Sequence, residues 1–146
     1  MAITNAGRKV YICATPQTSD LDLAGFAGLT WVEIGHVGAV GESGTKTNIV
    51  NYDELGTTVI QKAKGLADAG NPTIEVARNA TDAGQDALRA AALLQSAHAF
   101  KFLDTDSSVY YNRGIVTGPT RPNGRVEDFV LEVFTIGCIQ DNIANP

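Results

Sequence analysis

The residues best suited to chemistry in this sequence are Cys13, Cys138, His36 and His98, the run Gly41-Glu-Ser-Gly-Thr-Lys-Thr47, and the pair Asp104 and Asp106. Two cysteines and two histidines are enough in number for a zinc site, but no pair has C-x2-4-C or H-x3-5-H spacing. Two cysteines are also too few for a disulfide scaffold, and both read as small buried strand residues. The run at 41–47 resembles a phosphate loop only in composition. Lys46 follows Thr45 rather than the second glycine, and no helix is predicted behind it to offer its N-terminus to a phosphate. Asp104-Thr-Asp106-Ser starts like a calcium loop, yet its twelfth position is Ile115 rather than glutamate, so a hairpin turn is predicted. Neither histidine stands near an activated serine or cysteine in a nucleophile motif. Asn79-Ala-Thr81 is a glycosylation acceptor only in a secreted chain. Trp31 and the four tyrosines are suited to stacking on bases, but no basic stripe accompanies them, so sheet packing is the expectation. These residues predict no catalytic site, no cofactor and no metal; the chain is not expected to be an enzyme.

The elements that would position any site are mostly strands. Lys9–Ala14 alternates and stops before Pro16; Ser19–Leu29 reads as a linker or short turn; Trp31–Ile34 is a second strand. Gly35, Gly38, Gly41 and Gly44 recur every three residues through a polar stretch, so Gly35–Asn51 is predicted as a long loop or open hairpin, within a loop region of about 35–56. Thr57–Gln61 returns to a strand pattern that extends toward Ala67, and Thr73–Arg78 is another strand. Asp82, with Gln85 three residues on, marks a helix start of the capping-box type, and the helix is predicted to run to about Ala97. Its apolar stripe is Ala83, Ala87, Ala90, Ala91, Leu94 and Ala97, with Gln85, Asp86, Arg89 and Ser96 away from it. Ala99–Leu103 and Val109–Arg113 flank a turn at Asp104. Gly118–Gly124 is a loop with an Asn-Gly signal, and Val126–Ile139 is a long last strand. About seven strands and one helix of roughly 15 residues follow from these patterns, in a mainly β (α+β) fold: an antiparallel β-sandwich or half-barrel with one flanking helix, as one domain over 1–146. Such a sheet leaves edges and a face that need a partner.

Length and charge narrow the class. With 146 residues the chain can build a core without staples. Hydrophobic residues are 44%, and fifteen glycines with five prolines fall below the level of disordered chains. Eleven basic residues stand against sixteen acidic, a net charge of −5, which is opposite to what phosphate neutralisation needs. No apolar run approaches a membrane span, and Met1–Lys9 lacks an apolar region behind its charges. A soluble protein made in a cytoplasm is therefore expected.

One ordered set of segments is more specific. Asp82-Ala-Gly-Gln-Asp-Ala-Leu88 opens the helix; Phe100-Lys-Phe-Leu103 and the Asp104 turn follow; then come Val109-Tyr-Tyr-Asn-Arg-Gly-Ile-Val-Thr-Gly118 and Val126–Gly137. This order resembles the major tail tube proteins of long, non-contractile-tailed bacteriophages, over roughly Thr73–Gly137. The resemblance implies a structural virion protein. Six-subunit rings would stack into a hollow tube, each subunit giving about four strands to a continuous inner barrel. It further implies a tape-measure protein, a tail terminator and tail-tip proteins as partners, DNA passing through without specific binding, no membrane insertion, and a place in the virion tail after assembly in the host cytoplasm. An acidic bore suits that role, because a basic wall would hold DNA by counterion release.

Within this frame Glu75, Asp128 and Glu132, each in a predicted strand among apolar neighbours, are candidate lumen-facing acids. The glycine-rich loop supplies the candidate inter-ring contact, through Gly38, Gly41, Glu42, Gly44, Lys46, Asn48 and Tyr52, and the helix is expected to pack outside the sheet. Two alternatives are a tube subunit of a secretion system, gene-transfer particle or tail-like bacteriocin, and a monomeric ligand-binding β-sandwich.

Overall fold

The computed structural model describes residues 2–145. Among the described residues ten strands and two helices follow one another as β1 (Lys9–Ile12), α1 (Leu23–Ala27), β2 (Val32–Ile34), β3 (Val37–Val40), β4 (Lys46–Tyr52), β5 (Gln61–Asp68), β6 (Thr73–Ala77), α2 (Ala83–Ala92), β7 (His98–Leu103), β8 (Val109–Thr120), β9 (Leu131–Cys138) and β10 (Ile143–Asn145). The main sheet is antiparallel throughout, in the order β2-β1-β7-β8-β9-β6-β3, with β10 also on β8; β4 and β5 form a separate hairpin.

The sheet curls into a half-barrel, and the reason lies in two places. Its outermost strands, β2 and β3, are separated in sequence only by Gly35 and His36, so the two ends of the sheet must approach each other. On the opposite side, β8 serves both halves. Val109–Gly114 pairs with β7, while Gly114–Thr120 pairs with β9. At the bend a Cβ on Gly114 would lie 2.5 Å from the Gly137 carbonyl, so only glycine lets the strands close there.

The core fills this curl. Val10, Ile12, Ile34, Phe100 and Phe102 come from one half, and Ile74, Val76, Val116, Phe134 and Ile136 from the other. Alternation at period two puts these side chains on one face of every strand. Leu88 and Ala91 of α2 close the core. A smaller cluster of Cys13, Phe26, Ala99 and Tyr111 lies beneath α1, with Tyr111 stacked on Phe26 at 5.2 Å.

The mainly β half-barrel with a flanking helix matches the sequence reading, but several boundaries differ. The helix ends at Ala92, five residues before Ala97. By Ala97 the chain is already sheet-like, its carbonyl accepting the Gln17 N–H at 2.8 Å on the way into β7. The buried face is Gly84, Gln85, Leu88 and Ala91; Ala83, Ala90 and Leu94 are exposed. Gly84 explains the rotation, since any Cβ there would strike the Glu33 carbonyl of β2. The stretch at 35–56, read as a long loop or open hairpin, holds two strands, β3 and β4, and the linker or short turn read at Ser19–Leu29 holds α1, capped by Asp22, whose carboxylate accepts the Gly25 N–H at 2.7 Å. Thr57–Ile60 is a tip, and the strand begins at Gln61. The last long strand starts at Leu131 rather than Val126.

Candidate functional site

Two surfaces stand out because they satisfy nothing within the chain. The first is the outer face of the half formed by the end of β8, β9, β6 and β3. Cross-strand pairs set it in rows: Thr117 beside Thr135 beside Thr73, and Val133 beside Glu75 beside Ala39. Their opposite neighbours Val116, Phe134, Ile136, Ile74 and Val76 face the core. Among the described residues no helix covers these rows, whereas the outer face of the other half is sheltered by α1 and β10. Glu75 is the one charged side chain among them.

This patch also has two open edges. Pairing of β8 with β7 stops at Gly114, which leaves Ile115–Thr120 bonded on the β9 side alone, and β3 pairs only with β6. Strand directions alternate across β8, β9, β6 and β3. The open edge of β3 therefore runs antiparallel to the open edge of β8 of a second copy placed beside it.

The second surface is the β4–β5 arm, a continuation of the β3–β6 hairpin beyond the end of the sheet. Every residue of β4 is exposed, and every residue of β5 except half-buried Gly65. Ile49, Val50, Tyr52, Leu55, Val59, Ile60 and Leu66 all face solvent, Leu66 at 83%. The joint with the body is a pair of glycines in the left-handed region, Gly44 (φ +124°) and Gly70 (φ +97°); a Cβ on Gly70 would lie 2.8 Å from the Gly44 carbonyl. An isolated two-stranded hairpin is marginal in water, so this arm calls for a partner.

The three candidate lumen acids part company. Glu75 lies on the bare face. Asp128 is not in a strand: it sits in a turn, its carboxylate accepting the Arg125 N–H at 2.8 Å. Glu132 is on β9 but on the other face, only 2% exposed. It follows Phe134 and Ile136 into the interior by the same alternation, and Arg89 of α2 donates to its Oε1 from Nε (3.1 Å) and Nη2 (2.9 Å). A buried carboxylate persists only with such partners. Glu132 thus cannot line a bore formed by the outer face. The sequence showed the acid and the alternation but not which side the helix covers.

The residues chosen for an inter-ring loop fall along one stretch: Gly38 on β3, Gly41, Glu42 and Gly44 in the connection, and Lys46, Asn48 and Tyr52 on β4. Lys46 pairs with Glu42 at 3.3 Å. Sequence reasoning missed β4 itself and the second half of β8. The β-branched and aromatic residues in Ile49-Val-Asn-Tyr52 and Ile115-Val-Thr117 carried that signal, but nearby glycines masked it.

The remaining reactive groups are structural. Gln85 does not close a capping box. Asp82 accepts its N–H at 2.9 Å, while its side-chain amide donates to the Gly35 and Ala77 carbonyls, both at 2.9 Å, and its Oε1 accepts the Asn79 N–H at 2.8 Å. His98 is buried on β7, and burial lowers its pKa. Burial, with Asp68 nearby, pushes the Cys138 thiol up to about 11, far from a reactive thiolate. Asp104 pairs with Arg8 at 3.0 Å, and the Asp106 carboxylate accepts the Ser108 N–H at 3.0 Å, forming a hairpin turn. Trp31 donates to the Phe26 carbonyl at 3.2 Å and packs over Tyr111. Among the described residues, no group of three His, Cys, Asp or Glu is placed to hold a metal ion, and no helix is long and apolar enough to cross a membrane.

No protein-family model matches the sequence, and no curated protein aligns with it significantly. Solved structures share its fold. A chain in the sheath/tube terminator of an extracellular contractile injection system (PVC, extended state) superposes with a TM-score of 0.68 at 11% identity, covering 100% of this chain and 98% of that one. A chain in the anti-feeding prophage cap, an AFP tube-terminating cap, gives 0.65 at 10% identity over 99% and 91%. One in the AFP baseplate gives 0.65 at 7% identity over 99% and 95%. At these identities the likeness is one of fold.

Proposed function

We propose that this chain is a structural subunit of a phage-tail-like tube, in which copies join edge to edge into rings and the rings stack through the β4–β5 arm. The observation that carries this reading is the four-stranded patch with a bare face and two open edges of opposite direction. Its edges are complementary between copies and not within one copy, so pairing β3 of one copy with Ile115–Thr120 of the next satisfies both. The fold shared with components of tube and sheath assemblies supports the same reading. The role proposed is structural rather than enzymatic.

The dimensions agree. Six copies with four strands each give about 24 strands, and at about 4.8 Å spacing and about 40° tilt the barrel is roughly 48 Å across between backbones. About 5 Å of side chain on each side leaves a bore of roughly 38 Å, wider than a DNA duplex of about 20 Å. Its wall in this arrangement is threonine, valine, isoleucine and alanine, with one ring of Glu75 carboxylates instead of three acids per copy. Such a wall holds no phosphate and repels it weakly at the level of Glu75. Transport of DNA, six-fold symmetry and service as the major tube subunit, rather than a terminator, belong to this proposal, along with tape-measure and tail-tip proteins as partners.

Electron microscopy of concentrated protein tests it. Rings and hollow tubes with a bore near the stated width are expected, and a variant in which two glycines replace residues 46–68 should retain rings but lose tubes. Monodisperse single copies at all concentrations would overturn the reading.

A further inference from the structure

The arm and its counterpart lie at opposite ends of the same strands. The arm leaves where β3 and β9 finish and β6 begins; at the other end β8 finishes, β9 begins and β6 ends. That far end carries its own exposed apolar lip, Val126, Phe129 and Val130, with Val126 fully exposed and Phe129 at 79%. Beside the lip, three guanidinium groups surround the buried carboxylate of Glu132. Arg89 already satisfies Oε1, while Arg78 stands 3.9 Å and Arg121 3.8 Å from the carboxylate, each about half exposed. Asp86 takes one further N–H of Arg89 at 2.8 Å, and of the loop's acids, Asp128 is bound to the Arg125 backbone while Glu127 is exposed. Arg78 and Arg121 thus keep N–H donors without a close acceptor.

The arm tip has the complementary character: Asp53 and Glu54 adjoin Leu55, Val59 and Ile60, all exposed. We infer that the end formed by Arg78, Arg121 and the Val126–Val130 lip receives the arm tip of a second copy, with Asp53 and Glu54 on the guanidinium groups and Leu55 on the lip. The contact is head-to-tail, because the arm points away from its own copy's lip, so it propagates and gives the stack a polarity. Guanidinium groups are suited to it, since their planar donors take carboxylates two at a time. The inference rests on the ring-and-stack reading and specifies which surface the arm engages.

Charge exchange tests it. Asp53→Lys/Glu54→Lys is expected to form rings but to shorten stacks about tenfold or more, from loss of interfacial charge pairs. Arg121→Glu should do the same, and Arg121→Ser gives a milder check if the glutamate perturbs the fold; circular dichroism and the melting temperature confirm folding. Because the contact is heterologous, mixing the tip variant with the Arg121→Glu variant should recover long stacks, since the lysine tip then meets the glutamate while the unaltered tip meets the unaltered receiver, and the triple variant carrying both changes should recover longer tubes as well. Stacks of normal length from the tip variant, or no recovery in the triple variant while rings persist, overturn the assignment. Absence of rings in the unaltered protein overturns the underlying ring reading instead.

Discussion

β3–β6 and β4–β5 are two lengths of one long hairpin, divided by Gly44 and Gly70, and they live in different environments. In the first, Val40, Ile74 and Val76 pack into a core shared with Phe134 and Phe100. In the second, Ile49, Val50, Tyr52 and Leu66 are as apolar yet reach solvent. The backbone ladder is the same kind in both. What separates them is a second layer: β3–β6 has β7, β8 and α2 behind it, and the arm has none. Pairing alone organises a strand, but burial of one face stabilises it. The arm's apolar side chains belong to neither core cluster of the body.

That contrast can be broken by mutation. Phe100→Ala, in the body, should cost about 3–5 kcal/mol, whereas Leu66→Ala on the arm should stay within about 0.5 kcal/mol; urea denaturation of unassembled protein measures both, and similar losses would erase the distinction. Arg89→Met strips the buried Glu132 of its two shortest hydrogen bonds and should cost about 3 kcal/mol. An unchanged midpoint would show that Arg78 and Arg121 suffice. The smallest effect comes from His98. Burial lowers its pKa from 6.5, so below pH 6.5 the unfolded chain binds the proton first, and stability falls as pH drops through that value toward the lower folded pKa. His98→Gln should flatten the dependence, while removal of the arm should leave it intact, as thermal melts against pH would show.

Much of the body was legible because local and global preferences agree there. Val10 and Ile12, Ile74 and Val76, and Phe100 and Phe102 alternate in strands with one buried face, and Asp82 caps the helix as its type and position dictate. Legibility failed where the deciding contact lay far off in sequence. The helix face depends on Gly84 meeting Glu33; the orientation of Glu132 depends on Arg89; the strand nature of β4 depends on a partner fifteen or so residues away that offers no core.

The sequence by itself determined the β-rich class, the start of the helix, the alternating cores of most strands and the absence of any motif for catalysis or metal binding, because these follow from residue type and spacing along a few neighbouring positions. Only the tertiary structure decided which face of the β8–β9–β6–β3 patch is bare, that Glu75 lies on it and Glu132 beneath the helix, and that the glycine-flanked loop is a projecting arm. A strand presents two equivalent sides until another layer covers one of them, and that choice is made by the packing of distant elements.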